Sequence, residues 1–191
     1  MSRRTLSIIV LLVLALTSSA WLILYRYSPH PQQPAAPSSI TSIPKMTAAE
    51  EQQAVAEVLA LNLPDLAGQQ QSFAQWRGKI LVVNYWASWC APCVEEMPAF
   101  SRLQERYAAQ GVQFVGVGID DPNNMLTFVK KTPVSYPLLV AELGLGQQAG
   151  QQVKGLPYTL IIGREGTLVG SRLGRFDEAA LEKVLRQALN K

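Results

Sequence analysis

The segment Ile80-Leu81-Val82-Val83-Asn84-Tyr85-Trp86-Ala87-Ser88-Trp89-Cys90-Ala91-Pro92-Cys93 decides how this chain is read. Its first seven residues form an unbroken β-rich run, the pattern of a strand buried on both faces. A helical pattern follows from Cys90 through about Tyr107. W-C-A-P-C therefore stands where a buried strand hands over to a helix. The free backbone N–H groups and positive dipole end of a helix stabilise an anion at that point. A thiolate at Cys90 is such an anion, and Cys93 lies one turn further on, placed to resolve a mixed disulfide. Pro92 fits because the first helical turn needs no N–H from it.

These are the only two cysteines of the chain. A single pair two residues apart is no disulfide scaffold, since scaffold bridges stabilise by closing longer loops and come in sets. With one histidine, His30, in a Pro-rich stretch, a closed four-ligand zinc site within one chain is excluded and no metal is expected. Composition thus points the pair toward redox chemistry. The alternative, a buried structural thiol pair or half a metal site, is disfavoured by Trp89, the upstream strand and the downstream helix. No cofactor is called for.

Outward from this centre, residues 112–119 read as a second buried strand, 122–131 as a helix and 136–140 as a short strand. Residues 143–152 are weakly helical. Residues 158–162 and 167–173 are two strands joined by the turn Arg164-Glu165-Gly166. A closing helix after Asp177 carries Leu181, Val184, Leu185 and Ala188 on one face. The order predicts an α/β fold, a mixed sheet flanked by helices with an antiparallel edge.

Toward the N-terminus, residues 47–61 read as a helix capped by Thr47 with Glu50 three residues on, either a spacer or an extension packed on the domain. Residues 28–60 are taken as linker and short helix, the first part rich in proline and unable to bury enough surface to fold. Residues 5–25 carry no charge, and as a helix they would reach about 30 Å, enough to cross a bilayer. Arg3 and Arg4 ahead of the run set the N-terminus inside and the rest outside. Residues 1–27 are therefore expected to be a transmembrane signal-anchor, with Trp21, Tyr25 and Tyr27 at the outer interface. The competing reading is a cleaved signal peptide, for which Ser18-Ser19-Ala20 offers a site and which would leave a secreted protein. The net charge of +3 has the same origin: setting aside Arg3, Arg4 and Arg26, the 17 basic residues become 14, against 14 acidic ones. A neutral remainder without a basic stripe argues against nucleic-acid binding.

The run Val82 to Cys93 followed by Glu95-Glu96-Met97-Pro98 resembles the membrane-anchored TlpA/ResA-like branch of the thioredoxin superfamily. Leu63-Pro64-Asp65-Leu66 with Gly68, then Trp76-Arg77-Gly78-Lys79, resembles that branch's lead-in, and Gly155-Leu156-Pro157-Tyr158-Thr159 its cis-proline loop. The resemblance covers residues 61–191 and implies a thioredoxin-like domain there. The long stretch between Val112 and Leu156 matches the branch's helix-and-strand insert. It implies that Cys90 is the exposed nucleophile, Cys93 the resolving thiol, and Pro157 a cis-proline facing the disulfide, with Leu156 and Trp89 beside it at the substrate rim. Pro98 would kink the active-site helix. Asn84 stands where cytosolic thioredoxins carry a buried Asp, and Asn cannot ionise. Glu96 matches the branch's glutamate, and its spacing from Cys93 puts both on one helix face. It is either a proton carrier for Cys93 or a solvated surface glutamate like Glu95.

Ala91 and Pro92 put no cation or histidine beside the thiolate, which favours a reductant over an oxidant. The resemblance implies reduction of disulfide-bearing proteins such as apocytochrome c in the periplasm, a membrane electron-donor protein for re-reduction, and tethering to the cytoplasmic membrane. The alternatives are a protein-disulfide oxidant or isomerase, and a non-catalytic binding module or metal chaperone on the same fold.

Overall fold

The computed structural model describes residues 47–141 and 155–190. The expected membrane span, the Pro-rich linker and the weak helix at 143–152 lie outside them. Among the described residues no helix is long and apolar enough to cross a membrane.

Helix α1 (Ala48–Leu59) opens with a capping box, the Thr47 hydroxyl accepting from Glu50 N–H and the Glu50 carboxylate accepting from Thr47 N–H. Its Ala54, Val55 and Val58 are buried. Val55 and Val58 join a core with Leu63, Phe73, Trp76, Leu81, Val83 and Tyr85. The helix is therefore an extension packed on the domain. Two short strands, β1 (Asn62–Pro64) and β2 (Gln70–Ser72), pair antiparallel, and a turn of 3-10 helix (Phe73–Trp76) follows. Together Asn62–Pro64 and Gln70–Ser72 are mostly polar and carry no apolar run, so the sequence reading missed them.

Strand β3 (Ile80–Trp86) is buried at all seven positions, as its apolar run requires. Its side chains alternate between two cores. Leu81, Val83 and Tyr85 face the α1 side. Ile80, Val82 and Trp86 face helix α2 (Ala91–Tyr107), which contributes Cys93, Met97, Phe100 and Leu103 to the same core. Asn84 has the parity of that second set and so brings a polar side chain under α2. The helix runs on through Pro98 as a single element. That residue is on the exposed side.

Strand β4 (Val112–Gly118) lies parallel to β3 from the Ile80–Val112 pair to the Trp86–Gly118 pair. Helix α3 (Pro122–Lys131) and strand β5 (Leu138–Val140) follow, β5 adding a parallel edge to β4. These two are the helix and strand expected between Val112 and Leu156. Strands β6 (Tyr158–Ile162) and β7 (Leu168–Leu173) form an antiparallel hairpin, with β6 paired antiparallel to β3. The sheet order is β5-β4-β3-β6-β7. Helix α4 (Glu178–Leu189), capped by Asp177, buries Leu181, Leu185 and Ala188 in the α2 core. It is tied to α2 by Arg102–Glu178 at 2.6 Å and Arg106–Glu182 at 3.0 Å. Sheet and helices together are a thioredoxin-like fold.

Because β3 and β6 run antiparallel, the C-terminal end of one meets the N-terminal start of the other, at the Tyr85–Tyr158 pair. That topology carries W-C-A-P-C and the Pro157 loop, far apart in sequence, to the same end of the sheet.

Candidate functional site

Cys90 and Cys93 are joined in a disulfide. Cys90 is the N-cap of α2 and Cys93 lies in its first turn, with Pro92 between them. The Cys93 N–H donates to Cys90 O at 3.0 Å and Val94 N–H to the same oxygen at 3.1 Å, closing the turn. No side chain caps this helix. A serine or aspartate at the N-cap would offer an oxygen to the N2 or N3 N–H. N2 is proline and brings no N–H, so what favours a thiolate at Cys90 once the disulfide opens is the positive dipole end of α2.

The resemblance leads one to expect an exposed Cys90. In the disulfide state it is 7% exposed, against 0% for Cys93. Its sulfur is bonded to a partner inside the first helical turn, which packs on the core. Trp89, 69% exposed, is the residue carried into solvent. Trp86 lies fully in the core.

The loop before α2 is held from beneath by Asp120, a residue the sequence reading passed over. Its Oδ2 accepts from the Ser88 N–H at 2.8 Å and from the Ser88 hydroxyl. Its Oδ1 accepts from Asp121 N–H at 2.7 Å and Asn124 Nδ2 at 3.2 Å. Burial by itself would raise its pKa, but these hydrogen bonds together outweigh it and hold the carboxylate below its usual range. Replacing Asp120 with Ala removes the partner of the half-buried Ser88 N–H and hydroxyl, so it should cost about 1 kcal/mol of stability. The Trp89 fluorescence should also shift as the loop loosens. Urea unfolding followed at that tryptophan measures both, and an unchanged midpoint would refute this role.

The Leu156–Pro157 bond is cis, as the resemblance implies. Pro157 is buried, and Leu156 is partly buried against both cores. The Pro157 carbonyl is already engaged, accepting from Gly174 N–H at 2.8 Å. Gly174 has φ 83°, a left-handed turn that glycine adopts without strain. The turn after β7 is thereby fastened to the proline loop.

Glu96 is not a surface residue. It is 2% exposed, whereas its neighbour Glu95 points out to an exposed bridge with Arg175 at 3.2 Å. Glu96 Oε1 accepts from Asn84 Nδ2 at 2.9 Å, and the same amide donates to Thr159 Oγ1 at 3.1 Å. Glu96 Oε2 accepts from the Phe176 N–H at 2.7 Å. Loss of water dominates its titration and pushes the carboxyl up to about 7. The Phe176 N–H, the Asn84 amide and the charges of Arg175 and Arg172 oppose that rise without cancelling it. A carboxyl one turn from Cys93 that titrates near neutrality can give or take a proton at working pH. Thr159 was legible as the second residue after Pro157, sharing the strand parity that faces Asn84. The Phe176 N–H had no signal, because a backbone group in a turn leaves no residue type behind.

The Redoxin family matches residues 41–188. The chain belongs to that family. The thiol-disulfide oxidoreductase ResA of Halalkalibacterium halodurans is 29% identical over 124 residues, 64% of this chain and 70% of the relative. A thioredoxin-family thiol:disulfide interchange protein from Chlorobium tepidum superposes with a TM-score of 0.61 at 27% identity, over 68% of this chain and 92% of that one. A thioredoxin-related protein from Neisseria meningitidis serogroup B gives 0.59 at 30% identity, over 68% and 99%. With a disulfide seated at the N-terminus of α2, this Redoxin-family chain is a ResA-like thiol-disulfide oxidoreductase.

Proposed function

We propose that the chain is a membrane-tethered, extracytoplasmic reductant of protein disulfides, with Cys90 as nucleophile, Cys93 as resolving thiol and Glu96 as proton acceptor. The observation that carries the direction is the buried Glu96 carboxyl one turn behind Cys93. A negative charge there disfavours thiolate, so it destabilises the reduced pair and favours giving electrons away. The neutral Ala91-Pro92 spacer supplies no cation to reverse that balance.

The Cys90 thiolate attacks one sulfur of the partner's disulfide, forming a Cys90–partner bond and releasing the other sulfur as thiolate. Glu96 takes the proton of Cys93. The Cys93 thiolate then attacks Cys90, forming the Cys90–Cys93 bond and expelling the second partner sulfur. The partner has gained two electrons and the chain has lost two. Trp89, Leu156 and Pro157 form the rim on which the partner lies, and an exposed tryptophan suits such docking.

The charge-free run at residues 5–25 and the Pro-rich segment after it support a tether that holds the domain outside the cytoplasmic membrane. Substrates are disulfide-bearing proteins, among which we place apocytochrome c, and a membrane electron-donor protein restores the dithiol. Equilibration of the chain with defined thiol–disulfide buffers tests the direction. The expected reduction potential lies toward that of thioredoxin, about −270 mV, and a value near about −120 mV would make the protein an oxidant.

A further inference from the structure

We propose that Arg172 is a positioning residue for Glu96, acting on its carboxylate through the one peptide group that joins Arg175 to Phe176. The carbonyl of that peptide accepts from Arg172 Nε at 2.8 Å. Its N–H donates to Glu96 Oε2 at 2.7 Å. A cation on the oxygen and an anion on the hydrogen polarise one amide in the same sense, so each bond strengthens the other. The Arg172 guanidinium also lies 5.4 Å from the Phe176 ring centroid and covers its face. It thus holds both halves of the residue whose N–H reaches Glu96. The same turn is tied to the residue before β6 by the Gly174 N–H bond to Pro157 O.

Several groups meet Glu96 from the elements packed around it. From β3 comes Asn84, backed by Thr159 of β6. From β7 and the turn after it come the Phe176 N–H, Arg172 and Arg175. Tyr136, ahead of β5, has a buried hydroxyl whose ionisation the Glu96 charge opposes. On its own helix stand Glu95 and the cysteine pair. Arg175 is the obvious rival to Arg172, but its guanidinium is committed to exposed Glu95 and is screened by solvent. Arg172 is exposed too, yet it is the one that is hydrogen-bonded into the peptide. A guanidinium can bond the carbonyl and lie flat on the ring together, which an ammonium cannot.

The inference deepens the reading of Glu96 as proton acceptor, and its test separates the two. In the oxidised full-length chain the Glu96 carboxyl is titrated by carbon-13 NMR, with its resonance assigned from Glu96→Gln. Arg172→Gln should raise the midpoint by about half to one pH unit, less than the worth of one hydrogen bond to an ionised group, because the Phe176 N–H bond to Glu96 is weakened and not lost. Arg172→Lys should recover part of the shift, and Arg175→Gln should move it less than Arg172→Gln. An unmoved midpoint in Arg172→Gln, or an equal shift in Arg175→Gln, overturns the inference. The proton-acceptor reading is tested apart from this, with a chromogenic aromatic disulfide that releases one coloured thiolate on Cys90 attack and a second on Cys93 resolution. If Glu96→Gln leaves the pH profile of the second release unchanged, that reading fails, whatever the NMR titration gives.

Discussion

Replacing Cys90 with serine should reduce disulfide reduction to the uncatalysed rate while the fold survives, and replacing Cys93 should instead arrest the protein with its substrate attached. Attack and release belong to different sulfurs. Cys90 at the N-cap is the only one with solvent access. Cys93, fully covered, is placed to attack Cys90 and little else. Without Cys93 the first bond still forms, but nothing expels the second substrate sulfur. The structural cost of either change is modest. The bridge closes a loop only three residues apart in sequence. By the chain-entropy estimate such a loop gives about 2 kcal/mol. Gel mobility under non-reducing conditions reads the outcome. A stable adduct with Cys93→Ser and none with Cys90→Ser is expected; adducts formed equally by both variants would contradict the assignment.

The second large effect concerns stability and pH in the oxidised protein, where no thiol titrates. Glu96 folded ionises at about 7. Unfolded it ionises near 4.3 like any exposed glutamate. Between those values the folded chain holds a proton that the unfolded chain has lost. Folding stability should therefore fall as pH rises from about 4.3 to about 7, by an amount on the order of 3 kcal/mol, and level off above. Asp120 and Glu182, both held below the usual carboxylate range by hydrogen bonds, act with the opposite sign at lower pH. The comparison with Glu96→Gln isolates the effect. That variant should lose the decline across this window and exceed the parent chain in stability above it. Denaturant midpoints at a series of pH values check this, and parallel profiles for the two proteins would show that Glu96 does not titrate there.

The fold was largely legible because β3 is a continuous apolar run and the cysteine motif marks where α2 starts. Strand β7, the closing helix and the Thr47 capping box were equally readable, each resting on local periodicity or a cap. What escaped were features made by distant chain segments. Strands β1 and β2, unlike the equally short but wholly apolar β5, are mostly polar and give no apolar run to read. The burial of α1 depends on Phe73 and Trp76 meeting Val55 and Val58, so its weak stripe alone left open a spacer or an extension packed on the domain. At the site, the spacing of Glu96 left open a surface glutamate. Only the folded chain, by bringing Asn84 and the Phe176 N–H to it and Thr159 to Asn84, makes it a buried carboxyl with two hydrogen-bonded neighbours. Asp120 escaped for the same reason, since its partner Ser88 lies on a different strand's exit loop.

The central claim is that Cys90 attacks and Cys93 waits behind it. It is tested most directly by alkylating the freshly reduced chain with a limiting amount of iodoacetamide and locating the label by peptide mass spectrometry. A single adduct on Cys90, with Cys93 unmodified until the chain is unfolded, is the result expected. Label found first on Cys93, or divided equally between the two, would contradict it.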